Sequence, residues 1–275
     1  MKKICVIANA GKSAANEMTD HILSFLREHQ IEGRVLWEDF SEHEDYPVDE
    51  DTDCAIVLGG DGTMIHAASR LAQKSIPVFG VNLGHVGFLA GAEAGDLDRA
   101  LSMLVAGEYH IEERMMLDVL KGDSFFDTSL NDVVVTRSGF SRIISVLVYV
   151  NDRPVFTYRG DGVIVSTPTG STGYSLSAGG PIVVPTAKAI LVTPICPHSL
   201  NTRGIVLSAE DEVRLGVQEE TKTQDEEAIV TSDGWNSLKL AAMDGLTIRR
   251  SEKRALFLCP NGRSFFDLLQ KKLGS

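Results

Sequence analysis

The chain has 275 residues, 43% of them hydrophobic, with 26 basic against 38 acidic side chains and a formal net charge of −12. That length exceeds the roughly 100–200 residues usual for one domain, so two domains are expected, and a chain of this size needs no disulfide staples to bury a core. The acidic balance repels a phosphate backbone and excludes nucleic acid as the expected partner; a nucleotide site would have to work through local backbone N–H groups, a few placed basic residues or a metal ion.

Lys2-Lys3 is followed by the β-branched run 4–8, which is too short for the core of a signal peptide and reads as a first strand. A polar turn leads into residues 14–29, where Met18, Ile22, Phe25 and Leu26 recur at helical spacing and mark one buried face. Residues 34–37 read as a second strand, and the acidic stretch 38–53, with Pro47 inside it, as a solvated connection. A third strand over 55–58 ends in glycines; a helix over 63–73, a fourth strand over 77–81 and a helix over 97–105 follow. Strands alternating with helices predict a parallel sheet covered on both faces.

Past about residue 107 the texture becomes β-rich, with strand-like runs at 133–136, 143–150, 163–166 and 204–207. Lys121-Gly122 and Asn151-Asp152 are hairpin-turn candidates. Residues 264–273 close the chain as an amphipathic helix. No apolar stretch approaches the roughly 20 residues needed to span a bilayer, so a cytoplasmic protein without a membrane partner is expected. Cys5, Cys54, Cys196 and Cys259 lie far apart beside apolar runs, which removes zinc-ribbon and CxxC redox readings and leaves small hydrophobes in a reducing compartment.

Several common motifs fail. Ala10-Gly11-Lys12-Ser13 imitates the end of a phosphate-binding P-loop, but the glycine required five residues before Gly11 is Val6. GxGxxG, GxSxG and HExxH patterns are absent from the sequence. Gly59-Gly60-Asp61-Gly62-Thr63 holds: it stands at the carboxyl end of a strand and before a helix, where open α/β sheets place ligands and a helix start offers N–H groups to phosphate. Asp61 there can hold Mg²⁺ or accept a proton, against the plain alternative of a helix cap. The segment 161–180 (DGVIVSTPTGSTGYSLSAGG) puts Thr167, Thr169, Ser171, Thr172 and Ser175 among glycines, hydroxyls suited to ribose and phosphate oxygens, with Tyr174 able to stack on a base. Leu130-Asn131-Asp132 precedes the strand at Val133; the asparagine can read an amide edge and the aspartate can accept ribose hydroxyls, although alone the triplet is an ordinary turn signal.

Taken in this order, over nearly the whole chain, these elements resemble the NAD kinase family. The resemblance rests on GGDGT at 59–63, NLGHVGFL at 82–89, LND at 130–132, the hydroxyl-rich segment with the following Pro181-Ile182, and PHSL at 197–200. The GGDG loop alone is shared with diacylglycerol and sphingosine kinases and phosphofructokinases. The resemblance implies a phosphofructokinase-like α/β N-terminal domain, residues 1–107 plus about 255–275, carrying the GGDG loop. It implies a β-rich dinucleotide-binding domain over 108–254, with the last helix packing back on the first domain. Departures from the family pattern are Gly173 for alanine, His85 for arginine, Trp235 for glutamine and Ser275 for a terminal tryptophan.

By the same resemblance the chain phosphorylates the 2′-hydroxyl of the adenosine ribose of NAD with ATP or polyphosphate as donor, Mg²⁺ accompanying the donor. Asp61 is the implied catalytic residue. Gly60, Gly62, Thr63, Phe88, Asn131, Asp132, Arg159, Asp161, Thr172, Gly173, Tyr174, Ser175, Leu176, Ser177, Cys196 and His198 are implied to bind the substrates, with Arg142 in a similar part, and no residue is implied as a metal ligand. A homodimer or homotetramer is expected. A GGDG-type lipid or sugar kinase would account for Asp61 but not for 161–182, and a non-catalytic NAD sensor would have no need of Asp61.

Overall fold

The computed structural model describes every residue except 10–12, 39–45, 85–86, 139–142, 200–201, 219–227, 242–243, 263 and 275. Arg142, His85, Ser275 and the P-loop-like Ala10 to Lys12 therefore lie outside the described residues. The chain divides into two compact units, Met1–Arg114 with Arg254–Ser275, and Met115–Lys253.

The first unit opens with β1 (Lys3–Asn9), α1 (Ser13–Glu28), β2 (Glu32–Glu38), β3 (Cys54–Gly59), α2 (Asp61–Leu71), β4 (Val78–Asn82), the two-residue β5 (Ala92–Glu93) and α3 (Leu97–Ala106). The strands lie in the order β4-β3-β1-β2, every pair parallel, with β5 beside β4. All six residues of β3 are buried, as are the middle five of β1, because a parallel strand covered on both faces needs apolar side chains on each. Each fully buried Ile or Leu here contributes about 1.5–3 kcal/mol. Edge strand β2 has no such run. Ile22 and Leu26 of α1 and Leu97, Leu101 and Leu104 of α3 join one core with Ile4, Ile56 and Leu58. The chain leaves β1 toward β2 and then returns to β3 on the other side of β1, so the switch in strand order falls beside the end of β3. Helix α2 begins at Asp61, two residues before the expected start, because extended Gly60 (φ −98°, ψ −175°) serves as its N-cap.

Strand β6 (Tyr109–Lys121) runs into the second unit. There follow β7 (Ser124–Ser129), β8 (Asp132–Arg137), β9 (Ile144–Val150), β10 (Arg153–Gly160), β11 (Gly162–Ser166), the single-turn α4 (Tyr174–Ser177), β12 (Ala189–Ile195) and β13 (Ile205–Ser208). Then come β14 (Val213–Gln218), β15 (Ala228–Ser232), β16 (Asn236–Leu240) and the long β17 (Gly245–Pro260). One sheet has six antiparallel strands in the order β13-β12-β11-β8-β15-β16, and β10-β9-β14-β17 form a second antiparallel series. Their inner faces meet in a core of Val133, Val135, Val163, Val165, Val146, Val148, Val213 and Leu215. Period-two alternation sends Val134 and Ile164 to the opposite face, where Ile195 and Ala178 pack on them. That small cluster seats the hydroxyl-rich segment on the sheet. Asn151 (φ +50°) and Asp152 (φ +62°) make the two-residue turn between β9 and β10, and Gly122 (φ +57°) with Asp123 makes the turn between β6 and β7.

The end of β17 returns to the first unit, where Phe257 pairs in parallel with Val78 of β4. Helix α5 (Phe265–Leu273) also belongs to this unit. Its start is a capping box: the Ser264 hydroxyl accepts the Asp267 N–H at 3.2 Å, and the Asp267 carboxylate accepts the Ser264 N–H at 3.2 Å. Among the described residues no helix is long and apolar enough to cross a membrane.

Candidate active site

In the first unit the site is built around Asp61, held at the first turn of α2 by β3 behind it. Its Oδ2 accepts the Phe88 N–H at 2.9 Å and its Oδ1 accepts the Leu89 N–H at 3.1 Å. Gly87 makes this possible, because a Cβ there would stand 2.1 Å from Asp61 Oδ1. Gly59 is likewise forced by packing, a Cβ on it falling 2.5 Å from the Thr63 side chain. Gly60 and Gly62 are different: a Cβ on either would meet nothing within 4 Å. Their contribution is bare backbone at a helix start that has no side-chain cap, a surface an anion can approach. The Asp61 carboxylate is 31% exposed and keeps lone pairs for a further partner. Phe88 packs against Phe265 of α5 with ring centroids 6.0 Å apart, and Lys272 of the same helix places Nζ 3.9 Å from Asp61 Oδ2.

In the second unit Asn131 and Asp132 stand at the entrance to β8. The loop's shape is imposed by a residue the sequence reading did not select, Asp233. One oxygen of its half-buried carboxylate accepts the Leu130 N–H at 2.7 Å; the other accepts those of Asn131 at 2.7 Å and Asp132 at 3.0 Å. The Asp233 N–H in turn donates to Asp132 O at 2.9 Å. Asp233 adopts φ +48°, a left-handed conformation that aspartate tolerates in turns. Burial first, and the Asp233 charge second, push the Asp132 carboxyl up to about 7. Burial also pushes Asp233 up, to about 6, opposed by its three N–H donors. Three donors stabilise a carboxylate, so Asp233 keeps the charge and Asp132 takes up the proton.

The hydroxyl-rich segment folds against this loop. Thr167 Oγ1 donates to Leu130 O at 2.6 Å and accepts the Gly170 N–H at 3.1 Å. Ser171 Oγ donates to Pro168 O at 2.6 Å and accepts the Val183 N–H at 3.0 Å. Thr172 bonds Thr169 O at 3.3 Å, and Ser175, fully buried, bonds Thr193 Oγ1 at 2.9 Å. Four of the five hydroxyls thus build the loop. Asn131 Oδ1, Ser166 Oγ and Thr169 Oγ1 are buried polar atoms without a hydrogen-bond partner. A cavity of about 450 Å³ opens here, lined by Asn131, Asp132, Thr136, Tyr174, Thr231 and Asp233 among others. Gly173 lies at its edge, where a Cβ would come within 3.3 Å of Asn131 Nδ2. Tyr174 and Trp235 expose 45% and 37% of their surfaces, as ring faces able to stack would. Leu176 is half-buried and Ser177 exposed.

A third group gathers where β10, β11 and β12 meet. Asp161 pairs with Arg137, Nε to Oδ1 at 2.9 Å, another partner the sequence reading missed. Its flanking glycines are demanded by contact: a Cβ on Gly160 would lie 2.7 Å from Ile195 O, and one on Gly162 2.1 Å from Val135 O. Arg159 is exposed, and its carbonyl accepts the His198 N–H at 2.9 Å. Cys196 is exposed with φ +43°. A larger hollow of about 590 Å³ in the first unit is lined by Glu17, His21, Asp96 and Asp98 among others, includes none of the expected site residues, and its carboxylates would repel phosphate.

Known proteins share the sequence and the fold of this chain. The ATP-NAD kinase N-terminal domain family matches residues 27–109 and the ATP-NAD kinase C-terminal domain family matches 130–259. An NAD kinase of Lachnoclostridium phytofermentans is 48% identical, over 100% of this chain and 99% of its own. One of Caldanaerobacter subterraneus subsp. tengcongensis is 41% identical, over 99% of each. The crystal structure of an NAD kinase from Archaeoglobus fulgidus in complex with ATP matches with TM-score 0.79 at 27% identity, covering 98% of both chains. That of yeast NADH kinase complexed with NADH shares the fold with TM-score 0.85 at 23% identity, over 100% of this chain and 88% of its own. With both domain families matched in order and relatives aligned end to end, the chain belongs to the NAD kinase family, enzymes that phosphorylate NAD to NADP.

Proposed function

We propose that this kinase transfers the terminal phosphoryl group of ATP to the 2′-hydroxyl of the adenosine ribose of NAD, with Asp61 as the residue that takes the hydroxyl proton. The observation that carries the reading is the Asp61 carboxylate, oriented by the N–H groups of Phe88 and Leu89 yet open to one more partner. Phosphoryl transfer asks little covalent chemistry of a protein; positioning and charge compensation supply most of the rate. The new ribose O–P bond forms as the bond from the terminal phosphorus to its bridging oxygen breaks. The electron pair leaves with the nucleoside diphosphate, and the hydroxyl proton passes to Asp61. The bare backbone of Gly60 and Gly62, with Thr63, offers the donor phosphates N–H groups. Asn131, Asp132 and Tyr174, which line the cavity of the second unit, hold the dinucleotide, with Asp161, Arg159, Cys196 and His198 shaping the same substrate's site.

ATP as donor is supported by the ATP complex of the Archaeoglobus fulgidus relative; polyphosphate is the alternative donor. Mg²⁺ enters with the donor as part of the substrate. Asp61 has both oxygens engaged by N–H donors and a lysine beside it, a poor cage for a hard cation that prefers several oxygens. We further propose a homodimer or homotetramer, supported by Val155 and Phe156 of terminal strand β10 and Val206 of terminal strand β13, which are 41–54% exposed. The cytoplasm is the proposed compartment, supported by four free thiols.

The test is NADP formation from NAD, Mg²⁺ and either ATP or polyphosphate, read with an NADP-specific dehydrogenase. NADP from the wild type and none from Asp61→Ala supports the assignment. Equal NADP from both would remove Asp61 from the chemistry.

A further inference from the structure

Helix α5 carries an apolar stripe with one charged member. Phe265 packs on Phe88, Leu268 is buried, and the next position on that face, seven residues after Phe265, is Lys272. Its neighbour Lys271 turns aside to Glu93 at 2.6 Å. Lys272 is only 27% exposed, its Nζ 4.2 Å from the Phe88 ring centroid and 3.9 Å from Asp61 Oδ2. A lysine laid over an aromatic face in a packed stripe is held there by its charge as well as its stem. At 3.9 Å the pair with Asp61 is an ion pair without a hydrogen bond, so the three N–H donors of the ammonium are not spent on the carboxylate.

The phosphoryl donor brings several negative charges toward a carboxylate, and like charges at contact distance oppose each other strongly where water is partly excluded. The whole chain, at −12, gives no general help. A cation beside Asp61 removes that opposition locally.

Resting on the assignment of Asp61 to phosphoryl transfer, we infer that Lys272 is a donor-binding residue: its ammonium joins the terminal phosphoryl group and compensates the charge of Asp61 as the two approach. Phe88 thereby links the parts. Its N–H orients Asp61 and its ring seats both Phe265 and Lys272, which ties the terminal helix to the chemistry.

The experiment compares Lys272→Met, which keeps an unbranched stem over Phe88 without charge, with Lys272→Arg, which keeps the charge. Initial rates are measured with ATP and NAD varied in turn, alongside NAD binding by calorimetry and thermal unfolding. Lys272→Met is expected to lower kcat/KM for ATP about 10–100-fold, the range for losing a charge-assisted contact. NAD affinity and melting temperature should hold within twofold and 2 °C, about the shift from half a kcal/mol in a chain of this size, and Lys272→Arg should recover most of the loss. A Lys272→Met enzyme within twofold of the wild type toward ATP would overturn the inference. So would equal losses in both variants with a lowered melting temperature, which would make the residue structural. Asp61→Asn, assayed beside them, separates the two readings: wild-type turnover there removes the Asp61 assignment, whereas failure of the Lys272 pair alone removes only this inference.

Discussion

Asp61 in the first unit and Asp132 in the second are carboxylates placed in opposite surroundings. Asp61 is 31% exposed, oriented by two backbone N–H groups, with an ammonium 3.9 Å away. Asp132 is 7% exposed, and its neighbour is a second carboxylate, the half-buried Asp233. A half-buried carboxylate aimed by two N–H groups keeps a face open toward an incoming hydroxyl. A buried one beside a like charge sits near its titration point and gains an acceptor's strength only when it loses its own proton. The difference teaches that residue type names the chemistry available, while the neighbours decide which part of it is used.

The sharpest way to break the comparison is to remove the charge of Asp61 alone. Asp61→Asn is expected to lower kcat by about 10²–10⁴ while NAD affinity stays near wild type, since general-base assistance is worth that much and the binding groups lie elsewhere. Steady-state rates with calorimetry check it; lost affinity with unchanged kcat would overturn the role proposed for Asp61. Gly87→Ala leaves the charge and spoils its aim, because the new Cβ would fall 2.1 Å from Asp61 Oδ1. Its expected cost is about 10² in kcat, the scale of a misplacement near 1 Å, and a rate within threefold of the wild type would show that the carboxylate need not be so held.

On the other side of the comparison, Asp233→Ala strips the acceptor from three N–H groups of the Leu130–Asp132 loop. A stability loss of about 1–3 kcal/mol and a weaker NAD complex are expected in denaturant unfolding and calorimetry. The gentlest probe is pH. Asp132 has a folded value of about 7 against 3.8 for the ordinary carboxyl, so the folded state holds a proton that the unfolded state has released between those values. Its contribution to stability is therefore present at low pH and lost as pH rises from about 4 to 7. NAD affinity moves the other way, because ribose hydroxyls need the ionised acceptor; it should rise by at most about tenfold per unit up to pH 7. Calorimetry across pH 5.5–8 reads this, and a flat profile, or one unchanged in Asp132→Asn, would place the titrating group elsewhere.

Much of the architecture was legible because its signals are local. The buried runs of β1 and β3 and the spacing of Met18, Ile22, Phe25 and Leu26 follow from the periods of strand and helix. The strands from β14 to β17 were harder to see, since their exposed positions carry Arg214, Gln218, Lys239 and Glu252 and break up the apolar signal. The hydroxyl-rich segment announced itself by composition. Its composition could not say that Thr167, Ser171 and Ser175 would be used to hold the loop together, which depends on Leu130, Val183 and Thr193 arriving beside them.

By itself the sequence determined an acidic two-part chain, an α/β half followed by a β-rich half, a GGDG loop at a strand end and a hydroxyl-rich loop of one family. Spacing and residue type suffice for these, because steric periods and turn preferences act over a few neighbouring residues. Only the tertiary structure decided that Asp233 shapes the Asn131-Asp132 loop from 101 residues beyond Asp132, that Gly87 clears space for Asp61, and that Lys272 returns on the last helix to face it. Those partners are chosen by packing, and the burial and charge they bring set how each aspartate behaves.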